Sequence, residues 1–100
     1  MYKAIVFAGT TEGYALCEFL AENRVSVYAC AATEYGGSLL QENEFLHVST
    51  GRLKTEDMEE LFRKENPEIV LDATHPYAAE VTKNIRTACE SAGVLYQRIL

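Results

Sequence analysis

The sequence predicts an α/β fold, a doubly wound five-stranded parallel sheet with helices on both faces, and three observations carry that prediction. Strand-like and helix-like segments alternate along all 100 residues, with no linker, repeat or low-complexity tract between them. Ala4-Ile5-Val6-Phe7-Ala8 is the apolar run of a strand buried on both faces, and it stops at Gly9-Thr10-Thr11-Glu12-Gly13, where a helical pattern begins. Asp72-Ala73-Thr74-His75-Pro76-Tyr77-Ala78 has the same strand–turn–helix form.

The elements follow in order. Tyr2 to Ala8 reads as the first strand, and residues 12–22 as the first helix with Ala15, Leu16, Phe19 and Leu20 on its inner face. Val25 to Cys30 is the second strand, Thr33-Glu34-Tyr35-Gly36-Gly37 a loop, Ser38 to Gln41 a short helical turn, and Phe45 to Ser49 the third strand. After the exposed turn Gly51-Arg52-Leu53, Thr55 is placed to cap a helix whose first turn carries Glu56 and Asp57, favourable to the helix dipole. Met58, Leu61 and Phe62 form that helix's apolar stripe, and Asn66-Pro67 ends it. Ile69 to Ala73 is the fourth strand. Val81, Ile85, Ala88 and Ala92 mark the inner face of the last helix, Gly93 stops it, and Val94 to Ile99 is the fifth strand.

Right-handed crossovers give such a chain the strand order 3-2-1-4-5, that of a Rossmann-like domain. Strands 1 and 4 are then neighbours, and the chain reverses direction between them. Ligands of such sheets sit outside the carboxyl ends of the strands at that reversal. The two turns singled out above are the loops that meet there.

Length and composition set the limits. One hundred residues make one small domain with a single core, short for a complete cofactor enzyme. A net charge of -6 argues against a nucleic-acid partner, because duplex affinity rests on neutralising phosphates. No apolar run approaches the ~20 residues that span a bilayer, and a secretory pattern is missing, so the expectation is a cytoplasmic protein with no membrane partner. Cys17, Cys30 and Cys89 are widely spaced and read as reduced core thiols, and His47 and His75 lie too far apart in sequence to suggest a metal.

The first turn suits a phosphate. Gly9 can take a positive φ and lets a ligand approach the backbone, Thr10 and Thr11 offer hydroxyls and amides, and Glu12 and Gly13 open the helix whose free N–H groups favour an anion. A plain strand–helix turn uses the same residues; a Walker A loop is excluded because no Gly-Lys-Ser/Thr follows. No acid sits directly after the second strand, where an NAD-type site holds the ribose hydroxyls, although Glu34 follows closely. Thr33 with Arg52 suits a 2′-phosphate better, which favours NADPH over NADH. In the second turn, Asp72 can bond its own loop and Thr74-x-Pro76 is ordinary helix-start chemistry. His75 is placed to bind a ligand or pass a proton, and Tyr77 to stack on a flat one.

Gly9-Thr10-Thr11-Glu12-Gly13, Thr33-Glu34-Tyr35-Gly36, Gly51-Arg52-Leu53 and Asp72-Ala73-Thr74-His75-Pro76-Tyr77-Ala78 stand in the order and spacing of the precorrin-6A reductase family, cobalt-precorrin-6A reductase included. The closing Ala88-Cys89-Glu90-Ser91-Ala92-Gly93-Val94-Leu95-Tyr96-Gln97-Arg98 is similar too, so the resemblance covers essentially the whole chain. It implies a longer enzyme of two similar α/β domains with the active site between them, of which residues 1–100 are the N-terminal half. It also implies a pyridine-nucleotide reductase of cobalamin biosynthesis, passing hydride from NADPH or NADH to one double bond of a tetrapyrrole macrocycle. On that resemblance Gly9, Thr10, Thr11, Glu12, Gly13, Thr33, Arg52 and Thr74 hold the nucleotide, and His75, Tyr77, Glu34 and Tyr35 face the substrate, with His75 the best catalytic candidate. Arg52, Lys83 and Arg98 are candidates for the ring's carboxylates. One departure is Tyr14, where the family usually has arginine; it removes a candidate phosphate contact. Two other readings compete: a non-catalytic nucleotide-binding or sensing module, and a fragment of a short-chain-type dehydrogenase. The second lacks its Tyr-x-x-x-Lys pair, since Val81 stands four residues after Tyr77.

Overall fold

In the computed structural model, which describes residues 2–99, the alternation resolves into β1 (Ala4–Ala8), α1 (Thr11–Glu22), β2 (Val27–Ala31), α2 (Glu34–Ser38), β3 (Leu46–Thr50), α3 (Thr55–Glu65), β4 (Ile69–Ala73), α4 (Ala79–Ala92) and β5 (Leu95–Arg98). All five strands are parallel, in the expected order β3-β2-β1-β4-β5. β1 is central and every one of its residues is buried, which is why it carries no polar side chain. Ala8 pairs with Ala31 on one side and Ala73 on the other, so three strands end level and their turns emerge side by side.

Successive β1 side chains point to opposite faces and so enter two cores. Ile5 and Phe7 join Met58 and Phe62 of α3 and Ile85, Ala88 and Cys89 of α4. Val6 and Ala8 join Cys17 and Ala21 of α1, with Val27, Ala29 and Leu46 from the neighbouring strands. Gly93 ends α4 at φ 71, the left-handed conformation that makes glycine the favoured residue after a helix.

The structure corrects three readings of local sequence. The buried positions of α1 are Gly13, Cys17 and Ala21, not Ala15, Leu16, Phe19 and Leu20, and Phe19 is 59% exposed. Close approach of the first helical turn to the sheet sets this rotation: a Cβ on Gly13 would lie 3.0 Å from the Ala73 Cβ and 3.2 Å from the Ala8 Cα. Residues 34–38 form a short helix rather than a loop, because the Thr33 hydroxyl accepts the Gly36 amide at 3.0 Å and starts it. Gly36 and Gly37 are there for packing. A Cβ on the former would lie 2.8 Å from the Tyr14 hydroxyl, and on the latter would run into the Thr50 methyl. The expected helical turn at Ser38 to Gln41 is therefore the end of this helix, with Leu39 at its C-cap. In α3 the cap is Lys54, one residue earlier than expected, with its amide held by Asp57 Oδ2 at 3.0 Å.

Candidate functional site

The turn after β1 is tied to the turn after β4 through one hydroxyl. Thr10 Oγ1 accepts the Gly13 amide at 3.1 Å as the N-cap of α1 and donates to the Ala73 carbonyl at 2.8 Å. That hydroxyl is spent on structure. Among the described residues the amides of Thr11 and Glu12 have no partner, and they open a helix of 12 residues whose N-terminal end is electropositive. Gly9 does not use the positive φ its type allows; the positive-φ glycines among the described residues are Gly51 and Gly93. Its role is spacing. A Cβ there would stand 3.5 Å from the Thr74 Cα and 3.9 Å from the His75 nitrogen, filling the gap between the two turns.

Beneath the second turn lies a buried polar network that the sequence reading treated as local loop bonding. Asp72 is fully buried, and Oδ1 accepts the Thr74 amide at 3.1 Å and the Thr74 hydroxyl at 2.7 Å. Its Oδ2 accepts the hydroxyls of Thr82 and Tyr96, each at 2.8 Å. Arg98 completes the set with Nη1 at 2.8 Å from Asp72 Oδ1, 2.9 Å from the Thr74 hydroxyl and 3.3 Å from that of Thr82. Burial by itself would raise the Asp72 pKa, but the hydrogen bonds from Thr74, Tyr96 and Thr82 outweigh it and hold the carboxyl below its ordinary value. Burial, together with the bond to Asp72, pushes the Tyr96 phenol up to about 12.

Thr74 is thus turned inward and its hydroxyl is committed, which leaves its backbone as the part that borders the crevice. His75 and Tyr77 stand at the rim, with ring centroids 5.0 Å apart and Tyr77 90% exposed. The Tyr77 amide donates to His75 Nδ1 at 3.2 Å, which puts the proton of the neutral ring on the outward Nε2. On the other side of β1, the Thr33 hydroxyl is occupied by its helix cap, and Glu34 Oε1 meets the Thr50 hydroxyl at 3.5 Å. Tyr35 is 75% exposed, and Arg52 is exposed in the turn after β3, whose Gly51 amide bonds the Ala31 carbonyl at 2.9 Å. Strand order therefore places Thr33, Glu34 and Arg52 on one flank of the first turn, and Thr74, His75 and Tyr77 on the other. Lys83 and Arg98 line a separate shallow groove of about 490 Å³ outside α4, with Pro76, Thr82 and Arg86. Arg98 is paired to Asp72 at 2.8 Å, so its guanidinium is already engaged on that side.

Chemically the crevice offers backbone donors, a helix N-terminus, one imidazole N–H and an exposed aromatic pair. That set fits the phosphate and flat ring of a nucleotide. A Cβ at Gly9 would occupy part of the same gap. The residues sequence reasoning missed are Thr82 and Tyr96, which complete the Asp72 network. The one signal of them was an acid in an otherwise apolar strand, Ile69-Val70-Leu71-Asp72-Ala73, since a buried carboxylate demands partners.

Comparison with known proteins gives a consistent picture. The family described as Precorrin-6x reductase CbiJ/CobK matches residues 3–100. A cobalt-precorrin-6A reductase from Methanothermobacter thermautotrophicus is 36% identical over 97 residues, covering 96% of this chain and 32% of its own. The solved CobK precorrin-6A reductase superposes with a TM-score of 0.83 at 27% identity, over 99% of this chain and 39% of that one. The Bordetella bronchiseptica enzyme WbmH, solved in complex with NAD+, shares the fold with a TM-score of 0.73 at 18% identity, over 94% of this chain and 36% of that one. The chain spans about a third of the length of the curated relatives it matches. Among the described residues no helix is long and apolar enough to cross a membrane.

Proposed function

The chain belongs to the precorrin-6x reductase CbiJ/CobK family, and on that premise we propose that it is the nucleotide-binding part of a reductase acting on precorrin-6A or its cobalt form. The observation that carries this reading is the meeting of two turns at the β1/β4 switch point, with unpartnered amides on Thr11 and Glu12 and only a glycine between the first turn and Thr74. A reduced nicotinamide, when bound, supplies the hydride for such a reduction. This chain's residues bind and orient.

The amides of Thr11 and Glu12 take the dinucleotide's phosphates at the positive end of α1. Gly9 leaves room for them, and Thr10 keeps the two turns at a fixed separation through its bonds to Gly13 and Ala73. Thr33, Glu34 and Arg52, beyond β2 and β3, border the adenosine end, where the Arg52 guanidinium suits a 2′-phosphate and so NADPH. His75, as an Nε2–H donor, faces nicotinamide or macrocycle, and Tyr77 and Tyr35 offer exposed rings to a flat substrate. The remaining part of the reductase, by the length of the relatives, completes the substrate site and supplies the proton donor.

The test is an NMR titration of the 100-residue chain with NADP+ and NAD+. Amides of residues 9–13 move on addition of nucleotide; a titration that moves none of them removes the cofactor assignment. In the Arg52→Ala protein NADP+ weakens more than NAD+, and equal weakening rejects the 2′-phosphate role.

A further inference from the structure

Three consecutive carbonyl oxygens at the end of β4 are captured by two segments, the end of β5 and the turn after β1. The Asp72 oxygen accepts the Ile99 amide at 2.9 Å, the Ala73 oxygen the Thr10 hydroxyl at 2.8 Å, and the Thr74 oxygen Arg98 Nη2 at 2.7 Å. The Thr74 amide is also turned inward, onto Asp72 Oδ1. In a trans peptide the C=O and the N–H point in opposite directions, and no peptide among the described residues is cis. With the Thr74 carbonyl held on the Arg98 side, the His75 N–H points away from the network. It has no partner among the described residues, and its nitrogen lies 3.9 Å from where a Gly9 Cβ would stand. The following residues are held as well, since the His75 oxygen accepts the Ala78 amide at 2.9 Å and its Nδ1 the Tyr77 amide.

We propose that Arg98, braced by Asp72, is a positioning residue: it fixes the Thr74–His75 peptide so that the His75 N–H is presented to an oxygen of a nucleotide lying between the two turns. This rests on the nucleotide reading above. An ion pair whose carboxylate is fully buried is a poor source of stability, because burial strips water from that charge; the role assigned to it here is the selection of one conformation. Here the selected conformation is the orientation of one peptide plane, the one between Thr74 and His75. The guanidinium is suited to this because its planar fork reaches a carboxylate and a carbonyl at once, which a lysine ammonium on a flexible stem does not reproduce.

The experiment is amide hydrogen exchange on the 100-residue chain, followed by NMR with and without saturating NADP+. In the wild-type protein exchange at His75 slows by about tenfold or more on binding, together with Thr11 and Glu12. Protection of Thr11 and Glu12 without His75 overturns the proposal and leaves the nucleotide reading standing. Protection of none of the three overturns both. In the Arg98→Lys protein the NADP+ dissociation constant rises by about three- to tenfold, the worth of one hydrogen bond, and His75 loses its protection while Thr11 keeps it. A purely structural role for Arg98 would lower the melting temperature and leave the His75 response in the complex unchanged, and that result refutes the assignment. The wild-type exchange result stands whether or not the variant folds.

Discussion

Replacing Asp72 by asparagine isolates what the buried network contributes. The side chain keeps its shape and one carbonyl oxygen, but the NH2 group now faces two hydroxyls, Thr82 and Tyr96, that had donated at 2.8 Å to a carboxylate oxygen. Both hydroxyls must rotate to accept. Arg98, whose side chain is 24% exposed, loses its ion pair with Asp72 at 2.8 Å while keeping its bond to the Thr74 carbonyl. Removing one partner of a fully buried pair costs about 3–5 kcal/mol. Partial solvation of Arg98 lowers this to about 2–4 kcal/mol, a large share of the ~5–15 kcal/mol that holds a domain together. At about 4–8 °C per kcal/mol for a chain this size, the melting temperature falls by about 8–32 °C. Urea unfolding at pH 7 gives the free energy directly, with an unchanged m-value confirming that the fold is the same. The pH dependence supplies a second signature. Because the folded-state pKa of Asp72 is lowered, its contribution is fully present above the unfolded value near ~3.9 and is lost as pH falls below it. The deficit of the Asp72→Asn protein therefore shrinks from about pH 5 toward about pH 2. A loss under about 0.5 kcal/mol at pH 7, or a deficit that does not change with acid, refutes the account.

Two further outcomes follow from the same contacts. Gly13→Val places a branched side chain where a Cβ alone would stand 3.2 Å from the Ala8 backbone, and destabilises the chain by about 2–3 kcal/mol in a urea melt; a melt that is unchanged shows that α1 does not sit on β1 and β4 as described. The Tyr96 phenol is pushed up to about 12, so its contribution is complete below its unfolded value near ~10 and drains away as pH rises above that; Tyr96→Phe removes this alkaline loss, and parallel stability curves for the two proteins above about pH 9 contradict the bond to Asp72.

The fold was legible because its signals are periodic and each is repeated. A strand buried on both faces of a parallel sheet reads as a nearly continuous apolar run, and Ala4–Ala8 is one. Right-handed crossovers narrow the strand orders, and analogy with doubly wound folds selects the one found. What escaped the sequence were features set by contacts between distant residues. Gly36 and Gly37 look like loop glycines until Tyr14 and Thr50 are seen packed against them, and only then does residue 34–38 become a helix. Phe19 is the largest apolar residue of α1 and looks like its anchor, yet the small residues Gly13, Cys17 and Ala21 face the sheet because close approach excludes bulk. At the site, the division of labour among side chains was not visible: the hydroxyls of Thr10, Thr33 and Thr74 stood open between ligand contacts and local structure, and the structure spends all three on caps and on Asp72. A hydroxyl's partner is decided in three dimensions, whereas a free backbone amide at a helix start follows from the start itself.

On the proposed nucleotide reading, that division bears on how a chain of net charge -6 would hold an anion. Asp72 lies two residues before Thr74, beneath the crevice, and an uncompensated carboxylate there would oppose a phosphate. Arg98 cancels this at 2.8 Å, and its exposed edge remains tied to the Thr74 carbonyl. The field left at the crevice is that of neutral amides and the α1 terminus, both favourable to a phosphate. Arg98 therefore acts twice, by removing a repulsive charge and by turning a peptide, and lysine in its place keeps the first action while losing the second. A drop in affinity on Arg98→Lys consequently reports the geometry of the His75 amide and not the electrostatics of the pair.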